Sequence, residues 1–147
     1  MKGENNQTSL KRILEKENIR VCEFSKRRQN IRALMLIADN IIIYVNKNMS
    51  DYSKRFMICY MYCYHKLYTT EDTFHHIFYD ESIYDKKAYF NALKLLVPID
   101  MLKEDINNNI SMDELSKKYR LSSNVLLERL KLDNRGKQKQ KFKVLKK

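Results

Sequence analysis

Apolar residues change their spacing several times along this chain, and each change marks an element. Leu10, Ile13 and Leu14 fall at helical intervals between Ser9 and Lys16, predicting a short amphipathic helix. Ile19 to Phe24 shortens the interval to two at Ile19 and Val21, the period of a strand. From Arg32 to Asn46 two β-rich runs flank Asp39-Asn40, residues that tolerate the left-handed backbone of a tight hairpin turn. Ser50 or Asp51 can then cap a long helix from about Tyr52 to Tyr68.

The second half is predominantly helical. Thr69 to Asp80 reads as a connector containing His75 and His76, after which Ser82 caps a helix over about Ile83 to Val97. Pro98 suits the first turn of a further helix running to about Ile106, and Asn107 to Asn109 break it. Ser111-Met-Asp-Glu114 is a capping-box pattern that starts a short helix through Tyr119. Leu121-Ser122 turns the chain into a last helix, capped by Ser122 or Ser123 and ending near Leu132. Two short helices with a tight turn could form a helix-turn-helix; the simpler reading is a helical pair closing a core. The expected fold class is α+β, a small hairpin-based sheet packed against several helices. Residues 1–7 are read as a loose polar N-terminus, 8–132 as one domain and 133–147 as a tail.

Composition narrows the picture. A length of 147 residues fits one domain that buries a real core without staples. With two glycines and one proline, a turn-rich sandwich or a glycine-rich phosphate loop is disfavoured. Cys22, Cys59 and Cys63 are odd in number and follow no apolar leader, so free thiols in a reducing cytoplasm are expected. The longest apolar run, Ala33 to Val45, is interrupted by Asp39-Asn40, so no membrane span is expected.

The formal charge of +11 favours a polyanionic partner, either nucleic acid or an acidic protein surface. Six lysines and one arginine stand against one aspartate between Asp133 and Lys147. Candidate contacts to such a partner are Lys26, Arg27, Arg28, Arg135, Lys137, Lys139, Lys141 and Lys143.

The long helix carries the candidate chemistry. Cys59 and Cys63, four apart, share a helix face, and with His65 they form the one conceivable metal set. Small-residue packing explains both cysteines more simply, and no cofactor is expected. Tyr60, Tyr62, Tyr64, Tyr68, Phe78, Tyr79, Tyr84 and Tyr89 make the middle of the chain rich in aromatic rings. They either fill a core or line a contact surface; Tyr60, Tyr64, Tyr68, Tyr84 and Tyr89 are the candidate surface residues.

The run Arg55-Phe56-Met57-Ile58-Cys59-Tyr60-Met61-Tyr62-Cys63-Tyr64-His65-Lys66-Leu67-Tyr68 resembles the active-site helix of the ImmA/IrrE family of metallopeptidases, where a basic-Phe pair leads into H-E-x-x-H. Ala88 to Pro98 resembles the family's second helix, which ends in L-L-M-P, and Ser111 to Leu130 resembles its C-terminal segment. The resemblance covers about residues 30–132 in order and implies a zincin-like domain.

On that resemblance the two zinc-binding imidazoles fall at Tyr60 and Tyr64 and the catalytic glutamate at Met61. The acidic third ligand falls at Lys87 or, two residues earlier, at Asp85. A phenol is a poor zinc ligand at neutral pH and a thioether cannot serve as a general base. The expectation is a catalytically dead pseudopeptidase. Family members recognise helix-turn-helix repressors and occur in phages and other mobile elements. The resemblance therefore implies a protein partner, with an antirepressor or an inhibitor of a host or defence protein as the form of action. A basic regulator that binds nucleic acid and a divergent metalloenzyme are the alternatives.

Overall fold

The computed structural model describes residues 10–25, 30–69 and 74–133. A helix over 10–16 (α1) leads into strand β1 (Ile19–Phe24), followed by β2 (Ile31–Ile37) and β3 (Ile41–Asn46). The long helix α2 (Asp51–Tyr68) comes next, then β4 (Phe74–Tyr79), α3 (Lys86–Leu96), α4 (Ile99–Asn107), α5 (Met112–Tyr119) and α6 over 123–133. The α+β class is confirmed, with four strands and six helices among the described residues.

The sheet has the order β1-β3-β2-β4. β2 and β3 form the expected antiparallel hairpin, with Ala33 opposite Val45 and Ile37 opposite Ile41. β1 joins β3 in parallel, and β4 joins β2 antiparallel at the other edge. The alternation of a half-buried sheet is visible in the sequence itself: Ala33, Met35 and Ile37 on β2 and Ile43 and Val45 on β3 all point into the core. α2 covers that face with Met57 and Met61, and Ala88, Ala92, Leu93 and Leu96 of α3 complete the core beneath it. Each large aliphatic side chain buried there contributes about 1.5–3 kcal/mol.

Four local expectations are corrected. The hairpin turn spans Ala38 to Asn40, closed by the Ala38 N–H on the Asn40 carbonyl at 3.1 Å, and neither Asp39 nor Asn40 adopts positive φ. The left-handed positions are Asn18, Asn109 and Arg120 instead. The supposed connector holds strand β4, because its inward positions His76 and Phe78 face α2 while His75 and Tyr79 face solvent. α3 begins at Lys86 with Asp85 as its cap; Ser82 Oγ accepts the Tyr79 N–H at 2.9 Å and closes the turn after β4. Pro98 is the N-cap of α4 and not its first helical residue.

Ser50 caps α2, accepting from the Ser53 N–H, and Ser111 and Ser122 do the same for α5 and α6. Such caps stabilise a helix by about 1 kcal/mol each. α5 and α6 close the core as a helical pair, burying Leu115, Tyr119, Leu121 and Leu126. Buried polar anchors fix them. The Arg55 guanidinium at the start of α2 donates to the Tyr119 carbonyl at 2.7 Å, and Arg129 Nε on α6 donates to the Val97 carbonyl at 2.9 Å. Tyr119 Oη donates to Asp105 at 2.6 Å, and Lys118 holds the other oxygen of the same carboxylate at 2.5 Å.

Replacing Tyr119 by Phe removes one charge-assisted hydrogen bond while keeping the ring. It should lower unfolding stability by about 2 kcal/mol. Urea titration would show this as a lower midpoint at unchanged slope. An unchanged midpoint would mean the Asp105 contact does not anchor α5.

Candidate functional site

Residues four apart on a helix stack above one another, so Phe56, Tyr60, Tyr64 and Tyr68 form one aromatic face of α2. That face meets the inner side of β4 and the loop before α3. Tyr60 lies at the centre. Its ring stands edge-on to Phe78 at 5.4 Å and to Tyr84 at 4.8 Å, and tilted to Tyr64 at 6.2 Å. Its hydroxyl oxygen accepts the Asp85 backbone N–H at 2.9 Å. At 1% exposure it is a core residue, and burial raises its phenol pKa to about 12.

The other rings extend the cluster in both directions. Toward the C-terminus of α2, Tyr64 stacks flat on His76 at 4.0 Å and lies 4.8 Å from Tyr68. Tyr68 Oη in turn donates to both oxygens of Asp85 at 2.9 Å. Toward the N-terminus, Phe56 contacts Tyr84 and Tyr89 at 5.7 and 5.4 Å, and Tyr84 stacks on Phe78 at 4.8 Å. Each such pair contributes about 0.5–1.5 kcal/mol beyond the area it buries.

The structure thus brings Tyr60, Tyr64, Tyr68, Tyr84 and Asp85 together and adds His76, Phe78 and Phe56. Asp85, and not Lys87, occupies the place of an acidic group beside the helix; Lys87 is exposed on the first turn of α3. The Asp85 carboxylate is already engaged, since it also accepts the Ala88 N–H at 2.9 Å as the helix cap. Met61 is fully buried in the core. The expectation that Tyr60 lines a contact surface is corrected by its burial. Tyr64, Tyr84 and Tyr89 are half-buried, and only Tyr68 among the five is exposed, at 41%.

The alternative metal set is not assembled. Cys59 and Cys63 are buried, with Cys59 Sγ 3.8 Å from the Ala92 carbonyl, while His65 Nδ1 lies 2.9 Å from Thr69 Oγ1. The hydrogen bond with Cys63, then burial, push the Cys59 thiol well above its usual range. Among the described residues no three His, Cys, Asp or Glu side chains converge. Lys26, Arg27, Arg28, Arg135, Lys137, Lys139, Lys141 and Lys143 lie outside the described residues. No helix among the described residues is long and apolar enough to cross a membrane.

His76 and Phe78 carried a signal that the sequence reading passed over. Their spacing of two, within a run rich in aromatic and β-branched residues, is a strand pattern.

Among known families, the model for the IrrE N-terminal-like domain, a peptidase family, matches residues 14–131, from α1 into α6. No curated protein and no solved structure matches the chain. The zinc that H-E-x-x-H helices hold does not fit the groups found here. The resemblance puts the two ligand positions at Tyr60 and Tyr64, both phenols, with the thioether of Met61 between them, and the Tyr60 hydroxyl is capped onto a backbone amide within the core.

Two outcomes check this geometry. Tyr60→Ala should cost about 3–5 kcal/mol through the cavity it leaves. Tyr60→Phe should cost only about 1–2 kcal/mol, from the stranded Asp85 N–H; equal losses would deny the hydroxyl its role. His76 supplies the second. Its Nε2 is buried without a hydrogen-bond partner among the described residues, and burial holds its pKa below the ordinary 6.5. A histidine whose folded pKa is depressed leaves stability intact above the unfolded value. That stability is lost as pH falls below about 6.5 and through the folded pKa. His65, also lowered by burial, acts with the same sign. The thermal unfolding midpoint should therefore fall on acidification, and His76→Phe, which keeps the stack on Tyr64, should flatten the dependence.

Proposed function

The chain belongs to the family of IrrE N-terminal-like domains, and from that footing we propose that it is a non-catalytic member that works by binding a protein. One observation carries the reading: Tyr60, which the resemblance aligns with a zinc-binding imidazole, is buried and its phenol oxygen accepts the Asp85 amide. A buried phenol whose pKa burial raises to about 12 stays protonated and is a poor zinc ligand at neutral pH, and Met61 beside it cannot take a proton from water.

The rim of the filled cleft supports a contact role. Ile83, on the loop between β4 and α3, is 92% exposed, and Tyr68 and Tyr79 are exposed on either side of that loop. Tyr68 reaches the loop through Asp85 and the Tyr79 amide through Ser82. An aliphatic tip flanked by tyrosines is the composition of a protein contact more than of a solvated face.

Peptidases of this family recognise helix-turn-helix repressors. The partner we put first is such a repressor, held without cleavage so that the protein acts as an antirepressor of a phage or mobile element. A host or defence protein is the other form of the same reading. The three free thiols suit the cytoplasm as the place of action. The charge of +11 favours, as a second reading, direct binding of nucleic acid.

Affinity capture at low and at high salt, with both protein and nucleic acid quantified in the eluate, separates the two. The protein-binding reading expects a protein partner retained at high salt and lost from Ile83→Asp. Recovery of nucleic acid alone, released by salt, would contradict it.

A further inference from the structure

A cavity of about 260 Å³ opens at the N-terminal end of α2, one turn before Tyr60 and apart from the positions matching H-E-x-x-H. Its floor is aromatic: Phe56, Tyr84 and Tyr89, locked against one another at centroid distances of 5.2 to 5.7 Å. Val125 of α6 closes one wall. Its rim is polar, with Arg32 from β2 and the hydroxyls of Ser50, Ser53 and Ser122.

Arg32 is placed there by the sheet. It sits in the register irregularity between Ile31 and Ala33, where β2 and β4 fall out of step. Bulges of this kind redirect a side chain out of the normal alternation, and Arg32 lines the cavity together with Tyr84. A guanidinium carries five N–H donors in a planar fork that matches the two oxygens of a carboxylate. No carboxylate is among the described residues lining the cavity. The N-termini of α2 and α6 open on the same rim and favour negative charge, but the cation and the aromatic floor carry the assignment.

A space this size lies below the range of drug-sized ligand sites and suits a single side chain. The requirement is then an apolar body that covers rings, joined to one anionic group that reaches Arg32. A glutamate or aspartate side chain supplies the anion without the body, and an internal leucine or phenylalanine supplies the body without the anion. A chain's last residue supplies both.

We infer that this cavity is an anchoring pocket for the C-terminal residue of a partner chain, an apolar side chain seated on Phe56, Tyr84 and Tyr89 with its free carboxylate on Arg32. The inference rests on the protein-binding reading and names the group the partner inserts. Titration with short peptides can fail while affinity capture still succeeds, so the two are separately refutable.

The test is calorimetric titration of the full chain with a short peptide ending in phenylalanine as the free acid, with the same peptide amidated, and with 3-phenylpropionate. The free-acid peptide should bind about tenfold or more tighter than the amide, the effect of one lost charge-assisted pairing. Arg32→Gln should abolish that preference and Val125→Phe, which fills the cavity, should abolish binding, with circular dichroism confirming that each variant is folded. Because the cavity-filling variant leaves Arg32 in place, the pocket remains testable if Arg32→Gln does not fold. Equal binding of acid and amide, a preference that survives Arg32→Gln, absence of peptide binding, or binding of 3-phenylpropionate alone would overturn the inference.

Discussion

Tyr60 ties together three pieces of chain that would otherwise meet through weak contacts. Its ring fills the space between α2, Phe78 on β4 and Tyr84 before α3, and its hydroxyl accepts the amide of Asp85. A buried backbone N–H without an acceptor costs about 1–3 kcal/mol, so the hydroxyl fixes where the loop turns into α3. Asp85 then caps that helix and receives Tyr68.

The C-terminal helices depend on a second constraint, two buried arginines that reach across to other elements. Burial lowers the pKa of both Arg55 and Arg129, which shows that their surroundings penalise charge; each is held by a backbone carbonyl from another element. Breaking such a contact strands a buried charge, so these anchors specify the docking of α5 and α6 more than they add to stability. The same docking places Leu121, Ser122 and Val125 over the start of α2, and so creates the cavity beside Phe56.

Much of the fold was legible because its elements are locally consistent. The long helix announces itself by its cap and length, and the hairpin by two β-rich runs. β4 was hidden because His75 and His76 interrupt its apolar pattern; His76 takes an inward position only because Tyr64 offers a flat ring to stack on. The start of α3 was misplaced for a similar reason, since Ser82 and Asp85 are both good caps and only the folded chain assigns Ser82 to the turn. The positions that the resemblance assigns to the peptidase motif were chosen by spacing. Whether their tyrosines filled a core or lined a surface was not legible, because burial depends on strands and loops distant in sequence. Arg32 had no local signal, as its direction follows from a register shift between two strands.

The chain belongs to a peptidase family, while the resemblance of its long helix puts phenols and a thioether at the zinc-peptidase positions, and the proposed loss of catalysis rests on that donor chemistry. The sheet, the long helix and Asp85 stand together, and Tyr60 and Met61 belong to the buried core. The most direct measurement is the zinc content of the full chain purified without chelators, by elemental mass spectrometry. The account predicts no stoichiometric zinc. One tightly held zinc per chain, lost when Tyr60 and Tyr64 are both replaced by phenylalanine, would contradict it.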